Sequence, residues 1–262
     1  MPANLVTSRD GTAIAYFRSG GGPPLVLVHG ATADHTRWAP LLPALEQQFS
    51  VIAIDRRGRG HSNDASSYAI EREFEDVAAV VDAIGEPVFL LGHSYGAVCS
   101  LEATRLTNNV KKLVLYEPPI PTGMRFYSPD IIEHVAALLA QGDREGVVMT
   151  FFREVVRAPE TELRMITSLP NWPARVATAH TISREMRIDS SYAFCPAAFL
   201  EMNVPTLLLL GGDSPPIMKA ATEAVHRAIS TSRIDVLPGQ QHTAMNTAPE
   251  LFLDKVTGFL LP

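Results

Sequence analysis

Uninterrupted apolar runs at Leu25–Val28, Val51–Ile54, Val88–Leu91, Leu113–Tyr116 and Leu207–Leu210 constrain this chain more than any other feature. A strand with one wet face alternates apolar and polar residues, whereas a strand covered on both faces does not. Helical patterns lie between most of these runs. Residues 70–84 are the clearest, with Ile70, Phe74, Val77, Ala78, Val81 and Ile84 on one face and Gly85 as the stop signal. Buried strands alternating with helices predict an α/β architecture: a mostly parallel central β-sheet with helices on both faces. With 262 residues, 46% of them hydrophobic, the chain can build one such unit around a sizeable core.

The alternation has a prelude and a gap. Asn4–Ser8 and Thr12–Arg18, joined by Arg9-Asp10-Gly11, read as a β-hairpin, since Asp-Gly is a strong turn signal. A helix is expected after Asp34, carrying Trp38, Leu41, Leu42 and Leu45. The charge run Glu71-Arg72-Glu73-Phe74-Glu75-Asp76 is expected to be a solvated helix start, its acids offsetting the macrodipole. Between about 120 and 199 the strands cease. Helical patterns at 130–140, 143–157, 160–169 and 174–187 replace them, punctuated by Gly142, Pro159, Pro170 and Pro173. The expected division is a core of residues 1–119 and 200–262 and an inserted helical cap of residues 120–199. Placed after a strand's carboxyl end, such an insertion would lie over a site. A helix at 216–229, a strand at Arg233–Leu237 and a last helix through Leu251, Phe252, Val256 and Phe259 complete the core.

Composition excludes several classes. A net charge of −6 argues against a nucleic-acid surface. No apolar run approaches the ~20 residues that cross a bilayer, and Met1-Pro2-Ala3-Asn4-Leu5 has no basic region before an apolar stretch, so neither a membrane partner nor a leader is expected. Cys99 and Cys195 are expected as free thiols packed like small apolar groups, which suits the cytoplasm. His-Glu-x-x-His and Cys-x-x-Cys spacings are missing, so neither a metal nor a cofactor is expected. Asp55 to Ser62 lacks the phosphate-loop pattern and reads as a structural turn.

The chemistry centres on Gly92-His93-Ser94-Tyr95-Gly96, set between an apolar run and a helical pattern. Strand, tight turn and helix are what the Gly-x-Ser-x-Gly nucleophile elbow requires, which makes Ser94 the candidate nucleophile. A serine hydroxyl needs a base within reach, and the base needs an orienting acid. Among the eight histidines, His242 follows the last strand and the turn Pro238-Gly239, where a parallel sheet builds its site, and is the candidate base. The backbone amides of Tyr95 and Ala31 are the candidate oxyanion donors. In the insertion, Met124, Phe126, Tyr127, Phe151, Phe152, Trp172, Met186, Tyr192 and Phe194 are expected mainly as the cap's own core, a few facing a mainly apolar substrate.

His29-Gly30, Asp55-Arg56-Arg57-Gly58-Arg59-Gly60-His61-Ser62, Gly92-His93-Ser94-Tyr95-Gly96 and Gly239-x-x-His242 follow one another in the order seen in capped α/β-hydrolases. The chain resembles that family over roughly residues 25 to 260. The resemblance implies a serine hydrolase acting by acyl transfer on a small to medium carboxylic ester or lactone, a small-molecule substrate. A carbon–carbon bond hydrolase or a cofactor-free perhydrolase would use the same residues, and a non-enzymatic ligand-binding homologue would keep only the fold. An exposed cap is compatible with a homodimer. The acid departs from the family pattern. The usual slot after Gly211 holds Ser214, with Asp213 one residue early, while Glu117 ends the preceding strand before Pro118-Pro119. Asp213 is the first choice and Glu117 the alternative.

Overall fold

The computed structural model describes residues 2–261, the side chain of Glu162 excepted. Strands β1 (Asn4–Thr7), β2 (Ala13–Gly20), β3 (Pro24–Val28), β4 (Ser50–Ile54), β5 (Val88–His93), β6 (Val110–Tyr116), β7 (Thr206–Gly211) and β8 (Ser232–Leu237) form one sheet in the spatial order β1-β2-β4-β3-β5-β6-β7-β8. The first hairpin is present and pairs β1 with β2 antiparallel; β2 joins β4 antiparallel, and every pairing from β4 onward is parallel. The mostly parallel sheet is therefore as the apolar runs require.

Helices α1 (Leu42–Leu45), α2 (Ile70–Ala83), α3 (Tyr95–Ala103), α4 (Pro129–Ala140), α5 (Arg144–Thr150), α6 (Glu160–Thr167), α7 (Trp172–Ala177), α8 (Ala179–Glu185), α9 (Ile188–Ser191), α10 (Pro216–Ala228), α11 (Ala244–Thr247) and α12 (Pro249–Leu260) surround the sheet. Alternate strand residues point to opposite layers. Val26, Ile52, Leu90 and Leu113 pack with α2, α3 and α10, whereas Leu25, Val51, Leu91 and Val114 pack with Trp38 and α12. Both faces are dry, which explains why the runs show no alternation. α4 to α9 lie between β6 and β7 and carry a third apolar cluster of their own, including Val147, Phe151, Phe152, Trp172 and Met186. No helix among the described residues is long and apolar enough to cross a membrane.

Four expectations need correction. The helix after Asp34 is two short turns, His35–Trp38 and α1, because Pro40 and Pro43 each lack an amide donor. The pattern at 174–187 is broken at Thr178, whose hydroxyl donates to Arg175 O at 2.7 Å instead of leaving that carbonyl to the helix ladder. The opening of α2 is solvated only in part, at Glu71 and around Arg72 and Glu75. Glu73 and Asp76 are buried beside Arg56 and Arg57, at 2.6 and 2.7 Å. Cys195 is exposed rather than packed, while Cys99 is buried as expected.

Candidate active site

The sheet's chain order reverses between β3 and β5, with β4 lying on one side and β6 on the other. Loops leaving neighbouring strands there diverge and open a crevice at their carboxyl ends. β5 is followed directly by Ser94, whose backbone adopts φ 56°, ψ −126° before α3 begins. Its neighbours must be small. A Cβ on Gly92 would meet Ala97 Cα at 2.6 Å, and one on Gly96 would strike the Val28 and His29 carbonyls. Ser94 N donates to Tyr116 O at 2.9 Å, which ties the elbow to β6.

The loop after β3 crosses beside the serine. A Cβ built on Gly30 would lie 2.9 Å from Ser94 Cβ. His29 fixes this loop from below: its Nδ1–H donates to Gly30 O at 2.8 Å, and its Nε2 accepts from Arg56 N at 3.1 Å. Burial first, then the charge of Arg56, holds its pKa well below the ordinary value, so the ring is neutral. The Ala31 and Tyr95 amides have no acceptor among the described residues.

The side chain against His242 is Glu117, not Asp213. Glu117 Oε2 lies 2.6 Å from His242 Nδ1. Its other oxygen accepts from Gly211 N at 2.8 Å and from the Ser214 hydroxyl. Glu117 is fully buried and has φ 47°, so the kink after β6 turns its side chain across the end of β7. Burial alone would raise its pKa. The hydrogen bond and charge of His242, the Ser214 hydroxyl and the Gly211 amide outweigh that and leave it below the ordinary carboxylate value. Asp213 is exposed, and its side chain has no hydrogen bond among the described residues. The tight Gly211–Ser214 turn sends Asp213 outward and Ser214 inward, onto Glu117. With Nδ1–H donated to the carboxylate, Nε2 is the basic nitrogen of His242.

Two residues not singled out in the sequence hold the histidine loop. Tyr116 OH donates to Gln241 O and accepts from Ala244 N at 3.1 Å. His93 Nε2–H donates to His242 O at 2.9 Å, and the two rings lie 4.7 Å apart. Burial, then the charge of His242, depresses the pKa of His93 well below its ordinary value. Ser94 Oγ itself makes no hydrogen bond among the described residues, so serine and imidazole share the strand ends without being joined. Such bonds are often long in unliganded sites and tighten around substrate. The sequence signal of Tyr116 and His93 was only position: Tyr116 precedes Glu117 and His93 precedes Ser94.

Tyr95 is packed from behind. Arg56 lies over its ring at 4.6 Å, and its hydroxyl meets that of Tyr68 at 2.8 Å. Elsewhere, ligand atoms of His35, Asp55 and His61 lie within 4.8 Å of one another, the one grouping of metal-binding type among the described residues. Asp55 already accepts from His35 N, His35 Nδ1 and His61 N, so it clasps two loops, as a structural turn would.

A model of the alpha/beta hydrolase family matches residues 25–255. The solved structure of an alpha/beta hydrolase from Sphaerobacter thermophilus DSM 20745 is 36% identical, with a TM-score of 0.85 over 98% of this chain and 100% of that one. The esterase RhEst1 from Rhodococcus sp. ECU1013 is 25% identical, with a TM-score of 0.76 over 99% of this chain and 98% of its own. The probable oxidoreductase EphD of Mycobacterium tuberculosis (strain ATCC 25618 / H37Rv) is 37% identical over 103 residues, which cover 37% of this chain and only 17% of that protein. Sheet order, elbow and matched span agree: the chain belongs to the alpha/beta hydrolase family.

Proposed function

We propose that this hydrolase is a serine enzyme acting by acyl transfer on a small to medium carboxylic ester or lactone. The observation that carries the reading is the contact of fully buried Glu117 with partly exposed His242, 2.6 Å apart, at the strand ends that also hold the strained Ser94 elbow. Ser94 Oγ attacks the carbonyl carbon while His242 Nε2 takes its proton. Glu117 remains ionised and stabilises the imidazolium. The oxyanion is received by the Ala31 and Tyr95 amides, an arrangement in which losing one donor typically costs ~3 kcal/mol of barrier. The intermediate collapses, the alkoxide leaves with the proton held on His242, and an acyl ester remains on Ser94. Water, deprotonated by His242, then releases the acid and restores the serine.

Helices α4 to α9 act as the cap. Ala31 of the oxyanion loop packs against their apolar cluster, so the substrate is enclosed between them. The likeness to the Rhodococcus esterase supports an ester substrate. We place the enzyme in the cytoplasm, consistent with its buried free Cys99. The test is a fluorophosphonate probe followed by peptide mapping. Covalent labelling of Ser94 is expected, and folded protein that stays unlabelled there would overturn the assignment.

A further inference from the structure

A peptide group is planar, so holding its carbonyl directs the amide at its other end. Gly30 O and the Ala31 N–H belong to one such group. His29 Nδ1–H donates to Gly30 O at 2.8 Å, and the ring is held in turn by Arg56 N, which donates to His29 Nε2 at 3.1 Å. Arg56 Nη1 also donates to His29 O at 3.4 Å, so one residue grips the oxyanion loop by a ring and by a carbonyl. The second amide is that of Tyr95. The Arg56 guanidinium lies over the Tyr95 ring at 4.6 Å. The Tyr68 hydroxyl donates to Glu73 Oε1 at 2.8 Å, which leaves it to accept from the Tyr95 hydroxyl at 2.8 Å. Both amides therefore depend for their direction on where Arg56 stands.

Two carboxylates fix that guanidinium, and they come from different parts of the chain. Nε donates to Glu73 Oε2 of α2, beside the sheet, at 2.7 Å, and Nη2 donates to Glu185 Oε1 at the end of α8 at 2.6 Å. Glu185 Oε1 also accepts from Arg59 Nη2 at 2.5 Å, whereas its Oε2 is buried with no partner among the described residues. Leaving a buried carboxylate oxygen unpaired costs free energy. A joint built for stability alone would satisfy both oxygens, so the contact asks for a further reason. Its place supplies one: Glu185 sits where the helices between β6 and β7 meet the support of both amides.

We infer that Glu185 is a positioning residue for the oxyanion hole: by holding Arg56, the seated cap directs the Ala31 and Tyr95 amides at the substrate's carbonyl oxygen. This rests on the acyl-transfer reading above and deepens it. Enclosing the substrate and completing the oxyanion hole are then one event, so the carbonyl is activated where solvent is excluded.

The test follows turnover of p-nitrophenyl butyrate and inhibition by an alkyl trifluoromethyl ketone, which the Ser94 hydroxyl would convert to a tetrahedral oxyanion. Glu185→Gln should lower kcat by about 10- to 100-fold with KM within about threefold, since the lost support acts in the transition state. Affinity for the ketone should fall by the same factor. A merely structural glutamate would lower the urea midpoint yet leave kcat and ketone affinity of the folded variant within about twofold of wild type, which would overturn the proposal. Glu185→Leu with Arg59→Leu keeps the test decisive should the single variant not fold. It removes an orphaned charge, so it should regain stability without regaining kcat. Wild-type kcat in that folded double variant would overturn the proposal as well. Wild type that neither turns over the ester nor binds the ketone would sink acyl transfer, and this inference with it. Wild type active on both, with unchanged variants, would sink this inference alone.

Discussion

Three of the four non-glycine residues with positive φ among those described, Thr32, Ser94 and Glu117, lie at the strand ends of the candidate site. Such conformations cost on the order of 1–3 kcal/mol each and persist only where surrounding structure enforces them. At Ser94 the strain lifts the hydroxyl; at Glu117 it swings a carboxylate from the tip of β6 across to the histidine loop. Glu117→Gln should therefore lower kcat by about 10³- to 10⁴-fold on a p-nitrophenyl ester, since the amide favours the wrong imidazole tautomer. Asp213→Asn should stay within about twofold; equal losses in both variants would contradict the assignment of the acid. Ser214→Ala removes a hydrogen bond to a buried carboxylate and should cost about 1.5–3 kcal/mol in urea denaturation. That Ser94 and His242 stand at the carboxyl ends of parallel strands was legible in the sequence, because their motifs carry backbone requirements. Which carboxylate meets His242 was not, because Asp213 and Glu117 both satisfy chain order. What separates them is which side chain the Gly211–Ser214 turn points inward, and no local pattern encodes that direction.

At the level of elements, the helices between β6 and β7 are fastened to the core by charge. Glu185 at the end of α8 accepts from Arg56 and Arg59 at 2.6 and 2.5 Å, and Arg56 also holds Glu73 of α2. All four side chains are buried. Burial first lowers the pKa of Arg59, and repulsion from Arg56 adds to it against the pull of Glu185. Breaking a buried pair by removing one partner typically costs 3–5 kcal/mol, because the orphaned charge stays behind. Glu185→Ala should destabilise by about that amount in denaturant titration, and Glu185→Leu with Arg59→Leu by less than Glu185→Leu alone. A double variant worse than the single one would show that the orphaned arginine is not the cause. The sequence offered the acids of α2 as a solvated face, since local charge spacing is the same in both cases. Their burial depends on arginines in the turn after β4 and on a glutamate more than a hundred positions away in the chain.

Across the whole molecule, the double-sided sheet was the most legible feature. Uninterrupted apolar runs state two dry faces directly, and the alternation with helices states parallel pairing. The same enclosure makes the fold sensitive to acid through two histidines that sit between the layers. His29 and His93 both have pKa values well below 6.5, each because burial penalises the imidazolium. The unfolded chain, titrating near 6.5, binds more protons than the native one below that pH, so stability rises with pH. Their contribution is complete above the unfolded value and is lost as pH falls from about 6.5 toward the depressed native values. The slope is about 1.4 kcal/mol per pH unit for each proton taken up on unfolding. Buried carboxylates such as Glu117 and Glu73, whose native values are also lowered, are fully stabilising above the ordinary carboxylate range and lose their share at lower pH. Urea midpoints measured from pH 8 to pH 4 should therefore begin to fall between pH 7 and 6, before the lowered carboxylates Glu117 and Glu73 are protonated. His93→Gln keeps a donor for His242 O and should flatten that first decline. A midpoint that holds constant down to pH 5 in wild type would mean that the imidazoles are solvated, and the dry junction beneath the elbow would have to be redrawn.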